Sequence, residues 1–148
     1  IRGRNIMNGY LRNPEETHRA FWDGGWFRSG DVGILDEKGY LFIVDRLKDM
    51  IITGGENVYP REVEEIIFTI PEVQECAVVG IPDKEWGEKV IALVIPRAGK
   101  NLNPSDLKNY LKQRLSAFKV PKEFRIVDEL PKNSTGKVLK REIRKQFS

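Results

Sequence analysis

The pattern of apolar and polar positions in residues 60–70 is that of a helix packed on one side. Val63, Ile66 and Ile67 recur at three- and four-residue spacing, and glutamates occupy positions between them. This period places the apolar side chains on one face of a helix and the carboxylates on the other. Because proline is well suited to the first position of a helix, we predict that the helix begins at Pro60.

A second pattern, runs of β-branched and other apolar residues, predicts strands. Residues 73–81 and 89–95 are two such runs on either side of a polar loop, which indicates paired strands, and residues 124–127 form a shorter run. Residues 50–53 are followed by the glycine-containing residues 54–57, so we expect a further strand and a tight turn there.

Helix and strand signals also occur towards both ends of the chain. Residues 13–16 combine a capping asparagine, a proline and two glutamates, which predicts a short helix. Residues 26–35 and 40–44 predict a hairpin, and residues 103–115 a capped amphipathic helix. A basic helix closes the chain, and its predicted apolar side consists of Val138, Leu139, Ile143 and Phe147.

Strands and helices alternate without the glycine fingerprint of a dinucleotide-binding fold, so we predict an α+β fold. A β-hairpin and a three-stranded sheet flanked by helices should form a compact domain, preceded by a β-rich segment. We place the boundary near Asp45, which divides the chain into residues 1–45 and residues 46–148.

Composition narrows the class of protein. The chain has 148 residues, of which 40% are hydrophobic, enough for one ordinary core. Its single cysteine, Cys76, lies in an apolar run and has no disulfide partner within the chain, which favours a reducing, cytoplasmic setting. No apolar stretch is long enough to span a bilayer. Because the chain begins at Ile1 rather than at methionine, we expect it to be an excised fragment.

Three short polar clusters contain candidate functional residues. Asp31 follows a glycine bend, where its carboxylate could accept hydrogen bonds from a ribose diol or could simply belong to a turn. Arg46 lies in a charged segment that is either a solvated connector or a phosphate contact. Lys137 ends a polar loop that is either flexible or able to deliver a cation to an anion. Taken separately, each cluster favours the simpler structural interpretation.

The order and spacing of the clusters change this interpretation. Residues 25–31, 45–60 and 130–137 resemble, in the same order, three motifs of the adenylate-forming superfamily, which includes acyl-CoA ligases, carrier-loading adenylation domains and beetle luciferases. The resemblance extends over essentially the whole chain. It implies that residues 1–45 are the tail of a large N-terminal AMP-binding domain and that residues 46–148 are the mobile C-terminal domain.

The resemblance also implies roles in a first half-reaction, in which a carboxylate and ATP form acyl-AMP and pyrophosphate. Asp31 would hold the ribose of ATP, Arg46 would contact the nucleotide, and Lys48 would be the hinge. Lys137 resembles the catalytic lysine that bridges carboxylate and phosphate oxygens, where a fixed cation lowers the barrier. Many members of the family have aspartate at the hinge position, so the details of switching do not transfer to Lys48.

In the second half-reaction a thiol displaces AMP. The resemblance implies that the turn around Gly54, Gly55 and Glu56 lines the pantetheine tunnel, with Gly55 as the contact. The CoA nucleotide would bind where an aromatic face stacks on adenine and lysines meet phosphates. The candidates for that site are Trp86, Phe118, Lys119 and Lys122, although Trp86 and Phe118 would serve equally well as packing residues.

The resemblance therefore implies a C-terminal part of an ATP-dependent acyl-CoA ligase, similar to fatty-acid ligases, that uses ATP, CoA and a carboxylic acid. We expect Mg²⁺ to accompany ATP but predict no metal ligands in this fragment. The phosphate-binding loop and the acid pocket lie upstream in this family, so we expect the fragment alone to be inactive. A carrier-loading adenylation domain is the alternative within the family.

An alternative from another class is a basic module that binds nucleic acid through its C-terminal helix. The net charge is only +3, and acidic residues are spread among the basic ones. No nucleic-acid-binding motif accompanies them. We therefore predict no nucleic-acid partner.

Overall fold

The structure, a computed structural model, describes residues 1–147 and divides the chain after residue 31 into two compact units. Because this division reflects the density of contacts rather than a point of rotation, it does not test the predicted boundary near Asp45. That boundary stays a prediction.

The first unit consists of one short helix and one small hairpin. Helix α1 (Pro14–Arg19) begins as predicted, with the Asn13 side chain accepting a hydrogen bond from the Glu16 N–H at 3.1 Å. Strands β1 (Phe21–Trp22) and β2 (Trp26–Phe27) are antiparallel. The prediction of one continuous strand over residues 26–35 is wrong. Strand β2 pairs with the preceding strand β1, and the left-handed backbone of Gly30 (φ +72°) interrupts the extended run before β3.

The second unit contains the other helices and strands, the first of which begins at Asp31, the last residue of the first unit. A short 3-10 helix, Leu47–Asp49, lies between its second and third strands. The strands are β3 (Asp31–Leu35), β4 (Leu41–Arg46), β5 (Ile51–Thr53), β6 (Glu56–Val58), β7 (Val73–Asp83), β8 (Gly87–Pro96) and β9 (Glu123–Ile126). The helices are α2 (Pro60–Phe68), α3 (Pro104–Lys112) and α4 (Lys140–Lys145).

The predicted α+β fold, with a hairpin and a three-stranded sheet, is confirmed in outline. Strands β7 and β8 are antiparallel, and β9 adds to β8 in parallel. The β5–β6 hairpin joins the same sheet through one pairing, Thr53 with Gly87, so that the sheet has five strands in all. This junction brings the turn between β5 and β6 next to the turn between β7 and β8.

Strands β7 and β8 of the sheet are buried on both faces over most of their length. Alternate residues of β7 point to opposite sides: Val78 belongs to a core cluster with α2 and α3, whereas Val79 belongs to a second cluster that includes Ile143 of α4. Because neither face is exposed to water, β7 and β8 read as continuous apolar runs rather than as alternating ones. The predicted strands were therefore recognisable, and so were the helices that cover them.

Several details differ from the prediction, and α3, for example, ends at Lys112 rather than near residue 115. The polar loop expected between β7 and β8 is shorter, because the Asp83 carboxylate accepts hydrogen bonds from the N–H groups of Glu85 and Trp86, both at 3.0 Å, and closes a tight turn. The assignment of Leu139 to the apolar side of the last helix is wrong. Leu139 is the N-cap residue of α4 and is 36% exposed, whereas Ile143 is fully buried.

Helix α2 receives its N-terminal cap from a distant residue. Tyr59 makes no capping hydrogen bond, but Asp45 at the end of β4 accepts one from the Arg61 N–H at 2.8 Å. A carboxylate in this position satisfies an unpaired N–H and interacts favourably with the helix dipole. The contact fixes the end of β4 against α2.

Within residues 1–147 the structure contains no helix that is both long enough and apolar enough to cross a lipid bilayer.

Candidate functional site

Lys137 ends a loop that is ordered by its own hydrogen bonds. The Asn133 Oδ1 atom accepts hydrogen bonds from the N–H and the hydroxyl of Thr135, at 3.1 and 2.8 Å, and from the Lys137 N–H at 2.8 Å. The Asn133 N–H in turn donates to the Lys137 carbonyl at 2.9 Å, and Gly136 adopts a left-handed φ of +81°. The backbone at Lys137 is therefore fixed while its side chain is exposed.

Both stems of this loop are fastened to the rest of the domain. On one side, Lys132 forms an ion pair with Glu75 of β7 at 2.7 Å. On the other side, Lys140 forms an ion pair with Glu64 of α2, also at 2.7 Å. The two stems also pair with each other, since the Leu139 N–H donates to the Pro131 carbonyl at 2.7 Å.

The charges around Lys137 are largely matched. Over residues 131–147, Lys137 is the basic side chain that takes part in no ion pair, and every other basic residue of this segment has a carboxylate within 4.0 Å. The pairs are Lys132 with Glu75, Lys140 with Glu64, Arg141 and Lys145 with Glu142, and Arg144 with Asp49. The sequence predicted a basic helix at this end of the chain, but five of the six basic side chains of residues 131–147 are paired with four carboxylates.

The predicted hinge residue, Lys48, lies in the 3-10 helix Leu47–Asp49 and is exposed. The guanidinium of Arg144 donates hydrogen bonds to two consecutive carbonyls there, those of Lys48 at 3.2 Å and Asp49 at 3.1 Å. The Asp49 carboxylate lies 3.7 Å from the same guanidinium. Helix α4 is thus bound, through Arg144, to the segment in which the hinge was predicted.

The two predicted nucleotide contacts lie in different units. Asp31 lies at the end of the first unit, and its N–H donates to the Ser29 hydroxyl at 3.2 Å. Arg46 precedes the 3-10 helix in the second unit, is exposed, and donates its N–H to Asp45 at 2.7 Å. Asp31 follows the left-handed Gly30, whereas Arg46 is the last residue of β4.

The predicted Gly54–Gly55 turn is a two-residue hairpin loop. Gly54 and Gly55 have φ values of +58° and +84°, the left-handed pair that tight β-hairpins require. The Gly54 N–H donates to the Trp86 carbonyl at 2.9 Å, and a Cβ atom on Gly54 would come within 2.7 Å of the Trp86 ring. A Cβ atom on Gly55 would meet nothing within 4 Å. Glu56, which opens β6, is exposed.

Two of the four predicted CoA residues come together beside this turn. The Lys122 ammonium lies 5.0 Å from the centre of the Trp86 ring, within the range of a cation–π interaction. Trp86 is 42% exposed, and its ring edge lies against Gly54. Gly54, Trp86 and Lys122 therefore form one surface cluster, which we call the indole cluster.

The other two candidates have additional partners. Phe118 packs against the core cluster beneath α2 and α3, and the Lys119 ammonium lies 5.8 Å from its ring centre. Lys119 also forms an ion pair with Glu62 at 2.7 Å and lines a surface cleft of about 480 Å³ together with Tyr59. The charge of Lys119 is thus largely matched by Glu62, whereas the charge of Lys122 lies over the Trp86 ring.

Sequence reasoning missed the residues that hold these sites. The sequence placed Glu64 on the polar face of a helix and Arg144 on a basic helix, and no pattern singled out Glu75. Their partners are 14 to 96 residues away in sequence, so no local pattern indicates them. Asn133 did carry a signal, because an asparagine two residues before a threonine and three before a glycine is typical of an Asx turn.

Cys76 and Glu123 have shifted pKa values. Burial raises the pKa of the Cys76 thiol, and the nearby Glu64 carboxylate raises it further, so Cys76 is a packing residue rather than a nucleophile. The hydrogen bond from Arg125 lowers the pKa of Glu123, against a smaller opposing effect of burial. Among residues 1–147, no group of three or more histidine, cysteine, aspartate or glutamate side chains is arranged to hold a metal ion.

Comparison with known proteins gives consistent matches over nearly the whole chain. The family of AMP-binding enzyme C-terminal domains matches residues 62–137. A feruloyl-CoA synthase from Amycolatopsis sp is 48% identical over 99% of this chain and 30% of its own length. The long-chain-fatty-acid–CoA ligase FadD13 from Mycobacterium tuberculosis is 46% identical over 97% of this chain and 28% of its own length.

Solved structures of one relative agree with this result. ATP-bound MatB from Rhodopseudomonas palustris is 42% identical, with a TM-score of 0.91 over 99% of this chain and 29% of that protein. A structure of apo MatB matches the same shares of both chains at 43% identity with a TM-score of 0.71. This chain thus spans less than a third of the length of the relatives it matches. It belongs to the family of AMP-binding enzyme C-terminal domains.

Proposed function

We propose that this chain is the C-terminal part of an ATP-dependent acyl-CoA ligase, which activates a carboxylic acid as acyl-AMP and transfers the acyl group to CoA. The observation that carries the proposal is the position of Lys137. Its ammonium is exposed, its backbone is fixed by Asn133, and the stems of its loop are tied to the domain by two ion pairs. A mobile domain needs such an arrangement to deliver one cation accurately.

In the proposed first half-reaction an oxygen of the carboxylate attacks the α-phosphorus of ATP, and pyrophosphate leaves with the bridging oxygen. Negative charge develops on the oxygens between the two reactants. Lys137 would lie against these oxygens and stabilise that charge. Asp31 would accept hydrogen bonds from the ribose hydroxyls, and Arg46 would contact the nucleotide.

We propose that residues 46–148 rotate as a domain between the half-reactions, with the hinge at Lys48 and residues 1–45 remaining with the large domain. The two MatB structures support this proposal. They cover the same share of this chain at nearly the same identity, yet their TM-scores are 0.91 and 0.71, so the matched stretch of MatB differs in shape between its ATP-bound and apo structures. Rotation of this kind lets Lys137 leave before the thiol arrives.

In the proposed second half-reaction the turn of Gly54, Gly55 and Glu56 would face the pantetheine arm of CoA. Space above Gly55 is open to 4 Å, which suits the close passage of a thin chain. We assign the CoA nucleotide to the indole cluster, where the Trp86 ring would stack on adenine and Lys122 would meet phosphate. Phe118 and Lys119 are less suited to it, because one packs in the core and the other pairs with Glu62.

The β3–β4 hairpin supports the existence of a large partner domain in the same polypeptide. Its apolar side chains are unusually exposed, including Ile34 at 62%, Leu35 at 68% and Phe42 at 59%. Several large apolar side chains exposed on one hairpin mark a candidate interface. We propose that the remaining part of the protein covers it and contributes the acid pocket and the phosphate-binding loop.

The acid itself is not specified by this part of the chain. The two relatives described above are named for feruloyl and for long-chain fatty acyl groups, yet they are almost equally similar to it, at 48% and 46% identity. Mg²⁺ would arrive with the ATP phosphates. The described residues offer no ligand cluster for it, and we assign no step to the metal. A cytoplasmic setting likewise stays a prediction.

The test is a separation of the half-reactions in the full-length protein. Substituting Lys137→Ala should lower ATP–pyrophosphate exchange by about 10²- to 10³-fold, the usual effect of removing one group that stabilises a developing oxyanion. Thioester formation from supplied acyl-AMP and CoA should stay near the wild-type rate. Lys48→Pro should largely spare ATP–pyrophosphate exchange and slow thioester formation, because a proline at the hinge restricts the rotation that follows acyl-AMP formation.

Equal losses in both half-reactions for Lys137→Ala would contradict the assigned role. The choice of thiol is tested separately by offering the acyl-AMP to CoA or to a phosphopantetheinylated carrier protein. Faster transfer to the carrier would favour the adenylation domain of a carrier-loading enzyme. Nucleic acid is a poor candidate partner, since the basic residues near the C-terminus are matched by carboxylates.

A further inference from the structure

The Glu64 carboxylate joins three elements of the second unit. Its Oε1 atom accepts a hydrogen bond from the Val78 N–H at 2.8 Å and lies 2.7 Å from the Lys140 ammonium. Glu64 lies on α2, Val78 on β7, and Lys140 is the first residue of α4. Strand β7 is at the edge of the sheet, where backbone N–H groups lack a neighbouring strand. The Glu64 Oε1 atom satisfies one of these N–H groups and also binds the first residue of α4.

The Glu64–Lys140 pair is better shielded from solvent than the other ion pairs of the C-terminal segment. The two side chains are 15% and 16% exposed, compared with 29% and 37% for the Glu75–Lys132 pair on the opposite stem. A shielded pair is less screened by salt and holds its partners in a narrower geometry than an exposed one. Exposed pairs such as Lys145 with Glu142 contribute little by comparison.

Lys140 is three residues beyond Lys137, and the intervening Leu139 pairs with Pro131 on the opposite stem. A displacement of Lys140 is therefore passed directly to the loop that contains Lys137. The Asn133 hydrogen bonds fix the shape of that loop, but they do not connect it to the sheet. The ion pairs at the stems supply that connection, together with the packing of Leu130 and Val138 on the second core cluster.

We propose that Glu64 and Lys140 are positioning residues for the adenylation half-reaction, and that they set the location of Lys137 relative to the core of the domain. This inference rests on the proposed role of Lys137. Neither residue touches substrate in the proposal. Both act by holding the loop stem at a fixed point of α2 and β7.

The experiment compares four substitutions in the full-length protein. Lys140→Met removes the pair, Lys140→Arg preserves it, and Glu64→Gln removes the charge but keeps an oxygen for the Val78 N–H. Lys145→Met is the matched control, because it removes an ion pair from the same helix on its exposed side. Lys137→Ala is measured alongside as the reference for complete loss of the cation.

We expect Lys140→Met and Glu64→Gln to lower ATP–pyrophosphate exchange on the order of 10-fold or more, since displacements of about 1 Å at a reacting group have effects of this size or larger. Thioester formation from supplied acyl-AMP should be spared, and Lys140→Arg should restore most of the exchange rate. Lys145→Met should behave as wild type. Amide hydrogen exchange over residues 133–137 should become faster in Lys140→Met.

Equal losses in both half-reactions, or an unchanged exchange rate, would overturn the positioning role while leaving Lys137 in place. Slower adenylation without faster amide exchange in the loop would overturn it as well. If Lys137→Ala itself leaves ATP–pyrophosphate exchange intact, the proposed role of Lys137 is wrong and the inference falls with it. Thermal unfolding of each variant identifies any that does not fold, and Glu64→Gln then replaces Lys140→Met as the deciding variant.

Discussion

Two glycine-containing segments of this domain hold candidate functional residues, and they are fixed by different means. The turn at Gly54 and Gly55 belongs to the sheet, since β5 and β6 pair on either side of it and the Gly54 N–H bonds to the Trp86 carbonyl. The loop of residues 133–137 lies outside the sheet. The amide oxygen of Asn133 fixes its conformation, and the ion pairs and apolar packing of its stems fix its position.

The difference indicates how each segment responds to change. Sheet pairing couples the Gly54–Gly55 turn to the core. A substitution that alters the backbone of this turn should therefore reduce the stability of the whole domain. The loop is attached through side chains, so a substitution there can displace Lys137 while the core remains folded. Active-site elements that must move or adjust are often attached in this second way.

The largest effect on stability is expected for Gly54→Ala. Alanine at a left-handed φ of +58° is strained, and its Cβ atom would overlap the Trp86 ring at 2.7 Å. We expect the free energy of unfolding of this chain to fall by about 2 kcal/mol or more. Urea unfolding followed by circular dichroism measures the change.

The matched variant for that measurement is Gly55→Ala. Its φ of +84° imposes the backbone strain, but a Cβ atom there meets nothing within 4 Å, so we expect a loss of about 1 kcal/mol. In the full-length protein, Gly55→Ala should nonetheless slow thioester formation, because the added methyl group enters the proposed path of pantetheine. A larger stability loss for Gly55→Ala than for Gly54→Ala would contradict the steric argument.

A smaller effect on stability is expected for Asn133→Ala, which removes the acceptor of three hydrogen bonds within an exposed loop. The freed N–H groups can bond to water instead, so we expect a loss below about 1 kcal/mol. The adenylation half-reaction should still slow, since the backbone at Lys137 is released. Unfolding of this chain and ATP–pyrophosphate exchange by the full-length protein measure the two effects.

Asn133→Asp is the control for that substitution, because it keeps an oxygen in the accepting position. It should preserve the loop and most of the adenylation rate. A large loss of stability in Asn133→Ala would mean that the loop is part of the cooperative core, and the contrast with the Gly54–Gly55 turn would then fail.

The smallest expected effect is a pH dependence of the stability that is caused by Glu123, the first residue of β9. The hydrogen bond from Arg125 lowers the pKa of Glu123 below its ordinary value of 4.5, with smaller contributions from the charges of Arg125 and Lys89. A carboxylate with a lowered folded-state pKa stabilises the fold above its unfolded pKa, and this stabilisation is lost as the pH falls through the folded pKa. Because the side chain is 35% exposed, we expect less than about 0.5 kcal/mol.

Glu123→Gln checks this expectation. Between pH 6 and pH 3 the stability of the variant should fall slightly less than that of the wild-type chain, by an amount within the limit given above. A difference of several times that size would mean that ion pairs stabilise the sheet region appreciably. The proposed contrast between a sheet-held turn and an ion-paired loop would then need revision.

Much of the fold was predictable because its signals are local. The β-branched runs of β7 and β8, the caps at Asn13 and Asn103, and Pro60 at the start of α2 each reflect the conformation of neighbouring residues. The errors arose where a local signal competed with pairing. Residues 26–27 turn back onto β1 because Gly24 and Gly25 allow a tight turn there.

The candidate site was predictable only in part. The three motifs indicated Asp31, Arg46 and Lys137, and the paired glycines indicated the turn. The sequence did not indicate that Lys122 lies against Trp86 whereas Lys119 pairs with Glu62, since both lysines follow the same helix in a similar local context. The course of the chain between α3 and β9 decides which partner each lysine meets.

By itself, the sequence of this protein determined its family, its helices and strands, and the lysine on which the proposal depends, because each of these is encoded over a few neighbouring positions. Only the tertiary structure decided how that lysine is held. Glu64, Lys140 and Arg144 act through partners distant in the chain, and an ion pair forms wherever folding brings opposite charges together, whatever their separation in sequence. Lys137 is therefore recognisable from its motif, whereas its support is visible only in three dimensions.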